Sequence, residues 1–160
     1  MSALDLEDRL LTVARDLCRR TGKRPREAFM RRAVSSAYYA VFHALCRLCA
    51  DTVIGSIHHK SQAWERVYRG VTHTGAKAVL TSSKELSAFP AEVANFGVAF
   101  VLLQKEREQA DYGPAPFGKY FADTEALVEQ AAAAIVVLNK LEDSHRRALA
   151  AALLVKARTS

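Results

Sequence analysis

Within "RRAVSSAYYAVFHALCRLC", residues 31 to 49, Arg32, Ser36, Tyr39, His43 and Arg47 recur at steps of four, three, four and four. A helix places all five on one line. A second polar intrusion lies downstream. The apolar series Val93, Phe96, Phe100, Leu103 continues at the same spacing to Arg107 and then Ala110, so a guanidinium occupies a core position. Cleaving a phosphodiester needs a cation for the developing charge, a proton acceptor and a proton donor. Arg107 suits the first role. His43, with an ordinary imidazole pKa near 6.5, suits proton transfer at neutral pH. The same residues also fit a buried hydrogen-bonding network that fixes the register of two helices. Arg107 is expected to have a designated partner or a ligand, because breaking a buried pair costs about 3–5 kcal/mol.

The elements that must hold these groups are helical. Residues 4–20 carry Leu6, Leu10, Val13 and Leu17 at spacings of three and four, which predicts an amphipathic helix, A. "TGKRPRE" stops it. Helix B follows over about residues 27–50, with the small stripe Ala33, Ala37, Ala40, Ala44 beside a broad apolar surface. Helix C is predicted over 61–69, capped by Ser61 and ended by Gly70, and "VTHTGAKAVLTSSKELSAFP" reads as a polar connection. Pro90 opens helix D, which "GPAP" at 113–116 terminates. Asp123 is the expected N-cap of helix E, whose buried stripe is Leu127, Ala131, Ala134, Leu138 and Leu141. "DSHRRALAAALLVKA" either extends E or forms a separate helix. No period-two pattern competes, so the expected fold is all-α, an up-down bundle of four to five helices in a single domain over residues 1–160. With C as a full return, B and D run parallel and Arg107 lies level with residue 45, beside His43; antiparallel alignment would separate the two by about ten residues, on the order of 15 Å. Arg107 is expected to approach His43 or Tyr39, with Asp111 and Tyr112 flanking.

A chain of 160 residues, 50% hydrophobic, can bury one ordinary core. It has no run of 18 apolar residues, and "MSALDLEDRLL" is acidic where a secretory signal is basic, so a cytoplasmic protein without membrane association is expected. Three cysteines, an odd number, suit reduced thiols. The net charge of +6 is concentrated: Arg19, Arg20, Lys23, Arg24, Arg26, Arg31 and Arg32 face a single Glu27 between residues 19 and 32. Such a cluster either binds phosphates or forms a solvated turn.

"RRAVSSAYYAVFHALCRL", then "LLQKEREQADYGP", then "DTEALVEQAAAAI" resembles the HEPN domain, in the branch with a "YYAxFH" helix and an "RxxADY" helix end. The resemblance covers about residues 28–140 and leaves 141–160 as a helical extension. It implies a helical bundle, usually dimeric, often encoded beside or fused to a minimal nucleotidyltransferase, in toxin–antitoxin and phage-defence systems. It also implies binding of RNA or a nucleotide, in many members with metal-independent ribonuclease activity and no cofactor. The family's ribonuclease motif places a histidine after its arginine with four to six residues between them. Here Tyr112, Gly113 and Pro114 stand in that window after Arg107, and the next histidine is His145. A tyrosine of ordinary pKa is ionised about one part in a thousand at neutral pH. The resemblance therefore implies a weak or degenerate ribonuclease, with Arg107, His43 and Tyr112 as the catalytic candidates. Arg32, Tyr39, Asp111, Arg19, Arg20, Lys23 and Arg24 are the candidates for binding RNA or nucleotide. The competing expectation is a non-catalytic helical adaptor that docks a nucleotidyltransferase or another defence protein.

Other patterns carry less. Arg66 and His73 match the ribonuclease spacing but lie outside the family-like helices. Cys46 and Cys49 share a helical face near His58 and His59, but no second pair at finger spacing accompanies them, so buried thiols are expected and no metal. Trp64 and Tyr68 sit one turn apart and either stack on bases or pack in the core. Because helix B offers two neighbouring faces for burial, a homodimer is expected.

Overall fold

The computed structural model describes residues 5–20, 26–119 and 121–159. Among the described residues eight α-helices succeed one another: α1 (Leu6–Arg19), α2 (Arg26–Val53), α3 (Gln62–Tyr68), α4 (His73–Leu80), α5 (Ser83–Leu86), α6 (Ala91–Tyr112), α7 (Phe121–Asn139) and α8 (Asp143–Leu154), with a 3-10 turn at Ser56–His58. No strand occurs among the described residues. The fold is all-α, as the periodicity requires, and helices A to E correspond to α1, α2, α3, α6 and α7.

The number of helices exceeds the expected four to five for two local reasons. The stretch 71–89, expected as a connection, forms two short helices. Each starts at a hydroxyl that accepts a backbone N–H three residues on: Thr72 from Gly75 at 3.0 Å and Ser82 from Glu85 at 3.3 Å, as Ser61 does from Trp64 at 3.1 Å. Such caps satisfy amides that a first turn leaves open. Helix α4 buries only Ala76 and Leu80, one turn apart, which is too sparse a pattern to stand out of a polar string. The second reason is a break after Asn139, which leaves Leu141 half-buried outside the helix and makes α8 a separate element. Asp123 is not the N-cap of α7, which begins at Phe121, so its carboxylate lies within the first turn, where the helix dipole favours it.

The chain divides into two compact units, residues 1–43 with 99–135 and residues 44–98 with 136–160. In the first, α2 and α6 are antiparallel. Arg31 reaches Ala110, Ser35 reaches Asp111 at 3.3 Å, and Tyr38 accepts from Gln104 at 3.3 Å while its ring lies 5.6 Å from that of Phe100. Arg107 is therefore level with Tyr38 and not with residue 45, a displacement of seven residues or about 10 Å along α2. The expected stripe on α6 is buried throughout, from Val93 to Arg107 and Ala110.

Helix α1 departs from expectation by one position. Its buried residues are Glu7, Leu11, Ala14 and Cys18, whereas Leu6 and Val13 are 39% and 47% exposed. The face turned inward is the less apolar of the two.

In the second unit α4 lies against α8, and Ala76 and Leu80 of the one and Leu149, Ala150 and Leu153 of the other are buried. Gly97 permits the close approach of α6 to the end of α4, since a Cβ there would stand 2.6 Å from the carbonyl oxygen of Leu80. Trp64 and Tyr68, both half-buried, stack at 4.9 Å, and the Trp64 indole donates to Asp51 at 2.8 Å.

The two adjacent arginines of α2 have different environments. Arg31 closes the C-terminus of α6: its Nη1 donates to the carbonyls of Gln109, Ala110 and Gly113 at 2.9–3.0 Å and its Nη2 to that of Ala115 at 2.7 Å. Its Nε bonds Glu27, whose carboxylate also accepts from the amide of Phe117. Ala110 lies in the last turn of α6, whose carbonyls a helix end leaves open, and Gly113 and Ala115 follow that end, so Arg31 ties the helix terminus to the segment after it. Arg32, next in sequence, is exposed. Replacing Arg31 with Ala is expected to cost about 2–4 kcal/mol by stranding several carbonyls around one lost cation. Arg32→Ala should stay within about 0.5 kcal/mol. Urea unfolding of both variants, with amide exchange at residues 113–117, checks this.

Candidate functional site

The polar line of α2 is what remains exposed of an otherwise buried helix. From Ala33 to Ala50 every residue is buried except Ser36, Tyr39, His43 and Arg47, and Arg32 extends the line outward. A helix packed on most of its circumference keeps polar groups only where water can reach them.

Arg107 meets this line from α6. It is 8% exposed, and its guanidinium carbon lies 5.0 Å over the ring of Tyr38 and 5.8 Å over that of Tyr39. Cation–π contact with two rings compensates part of its desolvation. It forms no ion pair with a carboxylate of the described residues, and its Nε finds no hydrogen-bond acceptor among them. Gln104, one turn earlier and 6% exposed, donates through Nε2 to the Tyr38 hydroxyl, and its Oε1 is likewise unsatisfied among the described residues. A buried cation with an open donor beside a buried open acceptor is a polar centre short of partners.

His43 stands one turn beyond Tyr39, its ring 6.4 Å from the Tyr39 ring and 5.9 Å from that of Phe42. Tyr39 thus lies between the guanidinium and the imidazole. Asp111 accepts from Ser35, and Tyr112 is 75% exposed. One turn of α6 past Arg107, an open cleft of about 390 Å³ is lined by Ala28, Arg31, Arg32, Ala110, Asp111 and Tyr112. Two clusters result: a buried one with Arg107, Tyr38 and Gln104, edged by the half-buried Tyr39, and an open one with Arg32, Asp111 and Tyr112.

No family model, no curated protein and no solved structure matches the chain. The site therefore rests on its own chemistry.

The basic turn is less uniform than its sequence suggests. Arg19 is exposed at the end of α1, and the guanidinium of Arg20 lies 5.3 Å over the ring of Phe29. Arg31 is engaged with carbonyls and Glu27, whereas Arg19, Arg26 and Arg32 are exposed and form no ion pair with a carboxylate of the described residues. Lys23 and Arg24 lie outside the described residues. Arg66 and His73 fall in the second unit on α3 and α4. Cys18, Cys46 and Cys49 are buried thiols.

Tyr38 and Gln104 were not singled out as site residues by the sequence. Tyr38 reads as one more apolar position of α2. The available signal was Gln104, which stands between Phe100 and Arg107 on the buried side of α6.

Burial pushes the Tyr38 phenol up to about 12, against the charge and hydrogen bond of Arg107 and the hydrogen bond of Gln104. Tyr38 is thus a neutral hydrogen-bonding group at any physiological pH. Burial alone raises the Cys49 thiol to about 12. Both groups hold protons in the folded chain that the unfolded chain releases, so stability is intact below their ordinary values and falls as pH rises toward the folded ones. Unfolding free energy is expected to decline from about pH 9, where an unfolded thiol ionises, and more steeply from about pH 10 to 12, as unfolded tyrosine does. Urea titrations across that range check it: a Cys49→Ala variant should flatten the early part of the decline.

Proposed function

We propose that the chain is a HEPN-like RNA- or nucleotide-binding domain whose phosphate-recognising cation is Arg107, with Arg32 as an outer contact. The observation that carries this reading is the burial of the Arg107 guanidinium without a carboxylate among the described residues. A structural arginine is ordinarily buried with its counter-charge, because an unpaired buried charge is costly. A phosphate brings two negative oxygens to a fork of N–H donors in a partly desolvated setting, where charge-assisted bonds are strong. The half-exposed ring of Tyr39 offers a face on which a base can stack. The excess of basic residues between Arg19 and Arg32 supplies long-range attraction for a polyanion.

For cleavage, Arg107 would stabilise the phosphorane and His43 would move the proton. Tyr38 does not serve as the base, since it holds its proton to about pH 12. His43 reaches the reaction across Tyr39, and this indirect placement fits weak cleavage better than efficient turnover. A nucleotidyltransferase or another component of a defence system, implied by the HEPN resemblance, is the protein partner in this reading.

The test uses a labelled single-stranded RNA in chelator at about 0.15 M salt, with binding followed by anisotropy and cleavage on a gel. Arg107→Met keeps the volume, removes a buried charge and should leave the melting temperature unchanged or raised. It is expected to weaken RNA binding by about 10- to 100-fold, the equivalent of one or two charge-assisted bonds. His43→Ala should keep binding and remove whatever cleavage the wild type shows. A wild type that binds no RNA at this salt, or an Arg107→Met variant that melts far lower with binding intact, would return the centre to architecture and favour the adaptor.

A further inference from the structure

The open cleft one turn past Arg107 carries opposite charges on its two sides. Arg32 comes from α2 and Asp111 from α6, and both are exposed. No ion pair joins them, and neither forms one with any other described residue. Asp111 is held instead by Ser35, a buried hydroxyl that donates to its Oδ2 at 3.3 Å, while its Oδ1 has no partner among the described residues. Tyr112, next in the chain, is 75% exposed, and its ring meets no other ring of the described residues. Ala28 and Ala110 also line the cleft and, being small, take up little of its 390 Å³. We infer that this cleft takes a guanine base, with Asp111 as the residue that selects it and Tyr112 as its stacking face, an assignment that rests on the RNA- or nucleotide-binding reading above.

The selection follows from how donors are arranged on the bases. A carboxylate offers two acceptors side by side and no donor, so it matches an edge with two adjacent N–H groups. Guanine has that edge, in N1–H and the 2-amino group. Adenine sets a bare N1 beside its 6-amino group, cytosine a bare N3 beside its 4-amino group, and the N3–H of uracil is flanked by two carbonyl oxygens. Each of these three turns at least one lone pair toward the carboxylate. The bond from Ser35 does not use up Oδ2, because a carboxylate oxygen accepts more than once; it restrains the rotation of the group that reads the base.

Position and charge favour the same occupant. Asp111 follows Arg107 by four residues of α6, about 6 Å along the axis, which is the scale of the step from a phosphate to the base of its own nucleotide. Bases of single strands are read on their Watson–Crick edges and stacked on exposed aromatic rings, and Tyr112 adjoins the carboxylate. A guanidinium from a protein partner also carries two adjacent donors. It would have to enter beside Arg32, at the end of the most basic stretch of the chain, where like charge repels it. A guanosine phosphate brings the donors without a positive charge and supplies an anion for Arg32.

The probes are short oligouridines carrying one central guanosine, adenosine, inosine or xanthosine, at about 0.15 M salt, with guanosine and adenosine monophosphates as mononucleotide ligands. The wild type should bind the guanosine oligomer about 10- to 100-fold more tightly than the adenosine one, the discrimination of one bidentate contact. Inosine, which lacks the 2-amino donor, should fall between them. Asp111→Asn keeps an acceptor for Ser35 and turns the other oxygen into a donor. It should lose the preference for guanosine and gain one for xanthosine, whose 2-position is a carbonyl oxygen; loss of a merely structural carboxylate exchanges no base preference. Ala28→Leu, at an exposed position of α2, should fill the cleft and bring guanosine down to the level of adenosine. A wild type that binds all the oligomers equally, with Arg107→Met weakening them alike, overturns the guanine assignment and leaves the RNA reading standing. Binding of guanosine monophosphate over adenosine monophosphate without binding of RNA, reversed toward xanthosine monophosphate in Asp111→Asn, supports the assignment and removes RNA alone. Binding of neither RNA nor mononucleotide, or a guanosine preference that survives Asp111→Asn, overturns it.

Discussion

The burial of α2 constrains what surrounds it. Eighteen residues from Ala33 to Ala50 leave only Ser36, Tyr39, His43 and Arg47 in partial contact with water. A helix enclosed to that degree needs small residues where neighbours approach, and Ala33, Ala37, Ala40 and Ala44 are all buried. Polar groups are then confined to one narrow strip, and any side chain that meets the strip from another helix must be polar or aromatic. Arg107 and the two tyrosines are the outcome in the first unit, and the ion pair of Arg47 with Asp51 is the outcome in the second.

The same enclosure removes one argument for a dimer. Both apolar faces of α2 find cover within the chain, so they make no demand on a second copy. Enclosure also explains the division of labour at Arg31 and Arg32, where one turn of helix carries an interior-facing cation that closes the end of α6 and an outward one that lines an open cleft.

How much of this was legible in the sequence depends on how many side chains report each element. Helices α2, α6 and α7 bury long series at regular spacing, and their existence and their buried faces follow directly from the pattern. Helix α1 offers two stripes of the same period, and the more apolar one is not the inner one; a hydrophobic pattern identifies the helix without choosing which neighbour each stripe meets. Helices α4 and α5 are too short for a period, although Thr72 and Ser82 marked their starts. The site was half visible. Arg107 stood out because it interrupts an apolar series, and the strip on α2 stood out by its spacing. What joins them depends on whether α2 and α6 run parallel or antiparallel, and spacing within a helix carries no information on that. The antiparallel arrangement brought Tyr38 to Arg107, where parallel alignment would have brought His43.

The three thiols, finally, divide between the two units: Cys18 belongs to the first, and Cys46 and Cys49 to the second. All are buried, and the thiol of Cys49 is pushed to about 12, which makes the thiolate, the form that reacts, vanishingly rare in the closed state. Alkylation at neutral pH then requires opening of the unit that holds the cysteine. The chain carries its own clocks, and the rate at which each thiol is modified reads the opening of one unit separately from that of the other.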